Sequence, residues 1–178
     1  TATSNSITVA VNAPPTYTVD QQNYLICAGD SVDIIAHDQN GQSSLTYQWY
    51  LNNAPIVDAT DSMVTATLAG LYTLGVTNGT TGCTFTTEAV LLDVQSVTAP
   101  NVSTTEPTTF CEGLATGLVA DLIDDVTYQW MQNGVAITGA ESTQLAVTAA
   151  GQYTVVITTL QNCSATSDAI DVVVNPLP

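Results

Sequence analysis

The chain has four cysteines, at 27, 83, 111 and 163, one histidine, at 37, and no lysine or arginine among its 178 residues. These counts bound its chemistry. Catalysis requires a base poised near neutrality, an activated nucleophile or a metal. His37 precedes Asp38-Gln39-Asn40-Gly41, which reads as a loop, and an isolated loop imidazole is a solvated side chain. A serine nucleophile needs a neighbouring histidine, and the C-terminal half of the chain has none. Asp121, Asp124 and Asp125 fall in one short polar stretch and read as a solvated turn rather than the flanking carboxylates of a glycosidase. No catalytic residue and no enzymatic activity are expected.

The cysteines point to cross-links. Zinc requires close Cys-x2–4-Cys spacing, which is absent. An even count in a β-rich chain reads as disulfides formed in an oxidising compartment. They fall as Cys27 with Cys83 and Cys111 with Cys163, one pair in each half, each closing a loop of more than fifty residues. Such loops stabilise by roughly 4 kcal/mol on chain-entropy grounds. No cofactor is expected. Calcium is the one ion whose ligands are plentiful, with Asp58 and Asp61 or Asp121, Asp124 and Asp125 as donors. The full Asp-x-Asp-x-Asp-Gly loop is missing, so no metal residue is assigned.

Modification signals are present as well. Asn78, Asn101 and Asn162 head Asn-x-Ser/Thr sequences and are candidate N-glycosylation sites. Chance alone supplies about two to three such matches in this composition. Asp30-Ser31-Val32 and Asp61-Ser62-Met63 resemble the Asp-Ser/Thr-apolar motif that secreted Bacteroidota proteins use for O-glycans, and the resemblance implies Ser31 and Ser62 as candidate O-glycosylation sites.

The charge balance narrows the partners. Average composition predicts about twenty Lys and Arg in a chain of this length. The observed net charge is -16. Nucleic acid is excluded, because phosphate binding rests on cationic side chains, and anionic membrane surfaces repel the chain. No apolar run approaches the ~18 residues of a membrane helix. Stability must come from burial and cross-links rather than Lys or Arg ion pairs. Two readings of the bias stay open: trypsin-like proteases find no cleavage site, or the bias is lineage-wide.

The elements that position these residues repeat. Thr46–Ile56, TYQWYLNNAPI, recurs as TYQWMQNGVAI at Thr127–Ile137, and Ala69–Thr77, AGLYTLGVT, recurs as AGQYTVVIT at Ala150–Thr158. Residues 46–77 align with 127–158 at a constant offset, with 13 of 32 positions identical. In the first copy, alternation and turn residues predict strands near 16–26, 31–37, 45–51, 54–57, 63–68, 70–78 and 84–95. Tyr47, Trp49 and Leu51 share one face of their strand, as do Tyr72, Leu74 and Val76. Seven short strands with a Trp on the third predict an all-β fold, two tandem immunoglobulin-like β-sandwiches.

The pattern Cys-x-Gly…Tyr-x-Trp…Asn-Gly…Ile…Ala-Gly-x-Tyr…Cys…Val-x-Val resembles the Ig-like and PKD-like repeats of large surface proteins secreted by Bacteroidota, including adhesins and tandem-domain fibres. The resemblance covers nearly the whole chain, twice. It implies an extracellular, non-enzymatic location in a fibre or stalk. Antibody domains place a Tyr two residues before the second Cys, whereas Tyr72 precedes Cys83 by eleven. Each bridge is therefore expected near one pole, tying the start of the second strand to the last hairpin. The Gram-positive devices are missing: a Lys–Asn isopeptide staple is impossible without Lys, and no Leu-Pro-x-Thr-Gly sorting signal occurs.

One segment is in surplus. Residues 2–12 align without a gap on 165–175, matching Ile7 with Ile170, Val9 with Val172, Val11 with Val174 and Asn12 with Asn175. That is the closing strand of a module standing ahead of two modules that own closing strands. The expected organisation is residues 1–15 as an extra last strand, 16–98 as domain 1 and 99–178 as domain 2. Either residues 1–13 end a preceding module of a longer array, or they pair with another subunit's open edge by β-augmentation. In both cases Ile7, Val9 and Val11 find their core outside domain 1. The expected partners are further copies or adjacent Ig-like modules. Surface glycans are the partner of a second reading, an accessory binding module of a secreted multidomain protein, for which Tyr17, Tyr24 and Tyr50 are the exposed aromatics.

Overall fold

In a computed structural model of the chain, residues 5 and 7–178 are described. The first four residues and residue 6 lie outside the described residues. The chain divides into two units, Thr1–Gln95 and Ser96–Pro178. The division falls three residues ahead of the expected one and leaves the leading segment with the first unit.

Among its described residues the first unit holds nine strands: β1 (Tyr17–Val19), β2 (Asn23–Cys27), β3 (Val32–Asp38), β4 (Leu45–Leu51), β5 (Ala54–Pro55), β6 (Met63–Ala66), β7 (Gly70–Asn78), β8 (Thr84–Thr86) and β9 (Val90–Gln95). The second repeats them as β10 (Val102–Thr104), β11 (Thr109–Cys111), β12 (Thr116–Ala120), β13 (Val126–Gln132), β14 (Val135–Ala136), β15 (Gln144–Val147), β16 (Gly151–Thr159), β17 (Ser164–Thr166) and β18 (Ile170–Asn175). In each unit a three-stranded sheet, β1-β3-β6 or β10-β12-β15, faces a six-stranded one, β2-β9-β7-β4-β5 or β11-β18-β16-β13-β14, with β8 or β17 also on the long β7 or β16. Both are Ig-like β-sandwiches.

Alternation builds the core. In the first unit Tyr72, Leu74 and Val76 of β7 and Trp49 of β4 point inward with Ile34, Val64, Val90 and Leu92. In the second unit Tyr153, Val155, Ile157 and Trp130 do the same with Leu118, Val147 and Val172. Each Trp is fully buried. Its indole N–H still reaches a backbone carbonyl, Asp61 O at 3.0 Å or Ser142 O at 2.9 Å. Polar tip and apolar body are therefore both satisfied.

Nine strands appear where seven were expected, because the first and last of each set break. β1 pairs antiparallel with β3 in one sheet, while β2 pairs parallel with β9 in the other. The chain thus crosses between sheets around residues 20–22, as it does again at 105–108, where Pro107 stands. The last strand breaks at buried Thr87, whose N–H donates to the Leu74 carbonyl and whose Oγ1 accepts the Leu74 N–H, both at 3.0 Å. Ser167 forms the same pair of bonds with Val155.

The Ala-Gly of the repeat has a steric cause. Gly70 has φ +148°, and a Cβ there would lie 2.6 Å from Leu51 Cδ1. Asn52 and Asn133 turn the β4–β5 and β13–β14 hairpins at positive φ, which Asn tolerates. Their Oδ1 atoms accept the N–H of Leu71 and Gln152.

Candidate functional site

The cysteines mark the two poles of each module. Cys27 ends β2 opposite Gln95, and the next amide, Ala28 N–H, donates to the Gln95 carbonyl at 2.8 Å. That is the end at which β7 begins, since Gly70 pairs with Leu92. Cys83 lies at the other end of β7, its carbonyl accepting the Asn78 N–H at 2.9 Å. The nine residues of β7 separate the two ends by roughly 27 Å at about 3.4 Å per residue. A disulfide spans only about 4–7 Å between Cα atoms. The second unit repeats the arrangement, with Cys111 opposite Asn175 and Cys163 accepting from Thr159 across the β16–β17 hairpin.

This corrects the expected pairing. Neither Cys27 with Cys83 nor Cys111 with Cys163 forms a bridge near one pole. Cys27 and Cys163 are disulfide-bonded, whereas Cys83 and Cys111 are free thiols. Cys83 is half-buried and Cys111 exposed.

The leading segment runs past the hairpin pole of the first unit. The Gln42 amide donates to the Ala13 carbonyl at 2.9 Å, and the Cys83 Sγ lies 3.9 Å from the Asn12 carbonyl oxygen. Residues 7–13 form no strand. Ile7, Val9 and Val11 are 88%, 80% and 93% exposed, although Val172, the β18 counterpart of Val9, is 3% exposed. None of the three packs into the first sandwich.

Other candidates scatter. His37 lies on β3 rather than in a loop, and its Nε2 is 2.6 Å from Asp20 Oδ1 at the surface. Asp121 Oδ2, just after β12, accepts the side-chain amide N–H of Asn101, just before β10, at 2.8 Å. Asp58, Asp61, Asp124 and Asp125 are exposed, and no group of three metal-ligating side chains occurs among the described residues. An open cleft of about 470 Å³ between β1 and β8 is lined by Tyr17, Gln22, Phe85, Thr87 and Glu88, with Glu88 bonded to Gln22.

Of the modification candidates, Ser31, Asn101 and Asn162 are exposed and Ser62 half-buried. Asn78 is different. It is buried, its Nδ2 donates to Gln42 Oε1 at 2.9 Å, and its Oδ1 accepts the N–H groups of Thr80 and Thr81. The nitrogen a glycan would occupy is engaged with Gln42 of the β3–β4 loop, while the oxygen closes the hairpin.

The aromatics also depart from expectation, Tyr24 and Tyr50 being half-buried. Tyr17 is buried rather than exposed. Its hydroxyl lies 2.8 Å from that of Tyr47, with the rings edge to face at 5.8 Å. Burial, then the hydrogen bond to Tyr47, pushes the Tyr17 hydroxyl well above the usual tyrosine range. Burial likewise raises Tyr24, Tyr72 and Tyr153. Sequence alternation did not reveal this pair, because β1 is only three residues long and offers no period to read.

No family model matches the sequence, and neither does any curated protein. Solved structures of similar fold include the insect immune protein hemolin, 16% identical with a TM-score of 0.51, covering 94% of this chain and 48% of hemolin's. The three N-terminal domains of the highly immunogenic outer capsid protein of bacteriophage RB49 are 19% identical with a TM-score of 0.47, covering 90% of this chain and 59% of that one. Fibronectin(III)-like modules of CbhA from Clostridium thermocellum are 15% identical with a TM-score of 0.42, at 89% and 95% coverage. The chain thus spans about half of hemolin and three-fifths of the phage chain. At 16% identity the likeness to hemolin is one of fold.

Proposed function

We propose that this chain is a non-enzymatic, extracellular structural or adhesive element, a run of Ig-like modules in a surface fibre or stalk joined head to tail through strand complementation. The observation that carries the proposal is the leading segment. Residues 7–12 carry the apolar alternation of β18 yet expose all three apolar side chains to water. An unpaired apolar strand is an aggregation hazard unless a partner covers it. The closing positions of both modules are filled, β9 between β2 and β7 and β18 between β11 and β16. The segment therefore completes a sandwich other than these two, or adds to an open edge such as β2 or β6 of another copy.

Composition supports the same reading. With no Lys or Arg the exposed turns contain no trypsin site, and the disulfide fits an oxidising compartment. The test is negative-stain electron microscopy of the chain in reducing buffer, with salt added to screen its charge. Linear particles are expected, and they should be lost when Ile7, Val9 and Val11 are all replaced by Asp. Isolated two-lobed particles at every concentration, identical in the variant, would reduce the molecule to a two-domain spacer.

A further inference from the structure

Each module presents two kinds of cysteine at opposite ends. The strand-end kind, Cys27 and Cys111, sits where the closing strand runs out. The hairpin kind, Cys83 and Cys163, sits at the turn after β7 or β16. A module cannot bridge its own pair, because about 27 Å separates them. The repeat then supplies an internal comparison. Cys27 is the counterpart of Cys111 and Cys163 the counterpart of Cys83. The two that are disulfide-bonded are one of each kind, and the two thiols left over are also one of each kind.

We propose that Cys83 and Cys111 are complementary joining thiols. The hairpin thiol of one copy of this chain forms a disulfide with the strand-end thiol of a second copy, lacing copies head to tail. This rests on the end-to-end reading above and names the covalent part of it. The assignment follows from equivalence: each thiol is of a kind that is bonded elsewhere in the same chain. Both are accessible, and the leading segment, the proposed joining strand, passes within 3.9 Å of Cys83. Unlike ends joining gives an open chain in which every copy has the same orientation. A covalent join also suits a chain of net charge -16, in which copies repel and no Lys or Arg ion pair can hold them.

The oxidant is a low-molecular-weight disulfide such as glutathione disulfide. One protein thiolate attacks a glutathione sulfur and expels a glutathione thiolate, giving a mixed disulfide. The thiolate of the second copy attacks the protein sulfur of that bond and expels the second glutathione. One protein disulfide and two glutathione thiols result. The two thiol protons pass to solvent and on to the departing thiolates, and the two electrons end on glutathione.

The experiment incubates the native chain with glutathione disulfide in about 0.5 M salt, enough to screen the mutual repulsion, and follows products by non-reducing electrophoresis. Linkages are mapped after digestion at acidic or aromatic residues, since trypsin has no site. The intact chain should give a ladder of dimer, trimer and higher species that collapses in reductant. Cys83→Ser and Cys111→Ser alone should give at least tenfold less dimer, and mixing the two should restore dimer and stop there. The mapped peptide should join Cys83 to Cys111. Both substitutions are at accessible positions, and circular dichroism of each variant checks that the fold is kept. Absence of any cross-link, or single variants that dimerise as readily as their mixture, would overturn the proposal. Strand association is read in reductant, so the two readings fail separately.

Discussion

Tyr47 and Tyr128 occupy the same place in the two modules, yet their hydroxyls are satisfied by different means. Tyr47 meets the hydroxyl of another side chain, Tyr17, at 2.8 Å. Tyr128 donates to the Asp121 carbonyl at 2.9 Å and accepts the Ile123 N–H at 2.7 Å, tying down the loop before β13. Around this difference the rest is duplicated: the Trp–carbonyl bond, Gln48 and Gln129 each bridging two carbonyls, and Thr87 and Ser167 closing the last strand. The lesson is that the repeat preserves a set of buried hydrogen bonds and lets the partner of one of them drift.

The largest effect should be common to both modules. Trp49→Ala and Trp130→Ala each remove a fully buried indole and strand a carbonyl, so each should cost its own module about 3–5 kcal/mol. Labelling with 5-fluorotryptophan gives one 19F resonance per module in the intact chain. Denaturant unfolding read on the surviving resonance should show the other module little changed if the two are energetically independent. Next come Thr87→Val and Ser167→Ala, which leave a buried amide, Leu74 or Val155, without an acceptor and should each cost about 1–3 kcal/mol.

The tyrosines then separate the modules. Tyr128→Phe should destabilise module 2 by about 1–2 kcal/mol, because its partners are backbone groups that no second substitution removes. Tyr47→Phe should cost module 1 about 1 kcal/mol, and adding Tyr17→Phe should recover most of that loss, since both polar partners are then gone. A double variant no better than the single would refute the pairwise account.

Alkaline pH gives the mildest contrast. For a tyrosine raised in the folded state, the unfolded chain loses its proton first, so stability is intact below pH ~10 and declines as pH rises toward the folded value. Module 1 holds three raised tyrosines, Tyr17, Tyr24 and Tyr72, against Tyr153 in module 2. The Trp49 resonance should therefore report unfolding at lower pH than that of Trp130, and Tyr17→Phe should narrow the gap.

What could be read from the sequence was whatever repeats with a period. Trp49, Tyr72, Leu74 and Val76 declare their inward phase through alternation, and Asn52-Asn53 declares its turn through backbone chemistry. The sheet crossing near residues 20–22 left no such mark, since both sides of the break are strand-forming. Cysteine spacing gave a count per module but not a pole, because whether β2 runs parallel or antiparallel to β9 decides where Cys27 ends up. Asn78 carried a recognisable acceptor sequence, and only the packing against Gln42 shows that its amide is occupied. Residues 7–13 match β18 in sequence yet form no strand, and a match names the kind of partner and not its location.

That segment is where the account is most exposed. Hydrogen–deuterium exchange on the peptide spanning residues 7–13, followed across a concentration series in reducing buffer, asks whether another copy covers it. Protection that rises with concentration, and disappears with Val9→Asp, is the predicted result. A peptide that exchanges at the unstructured rate from the most dilute to the most concentrated sample would contradict strand complementation between copies.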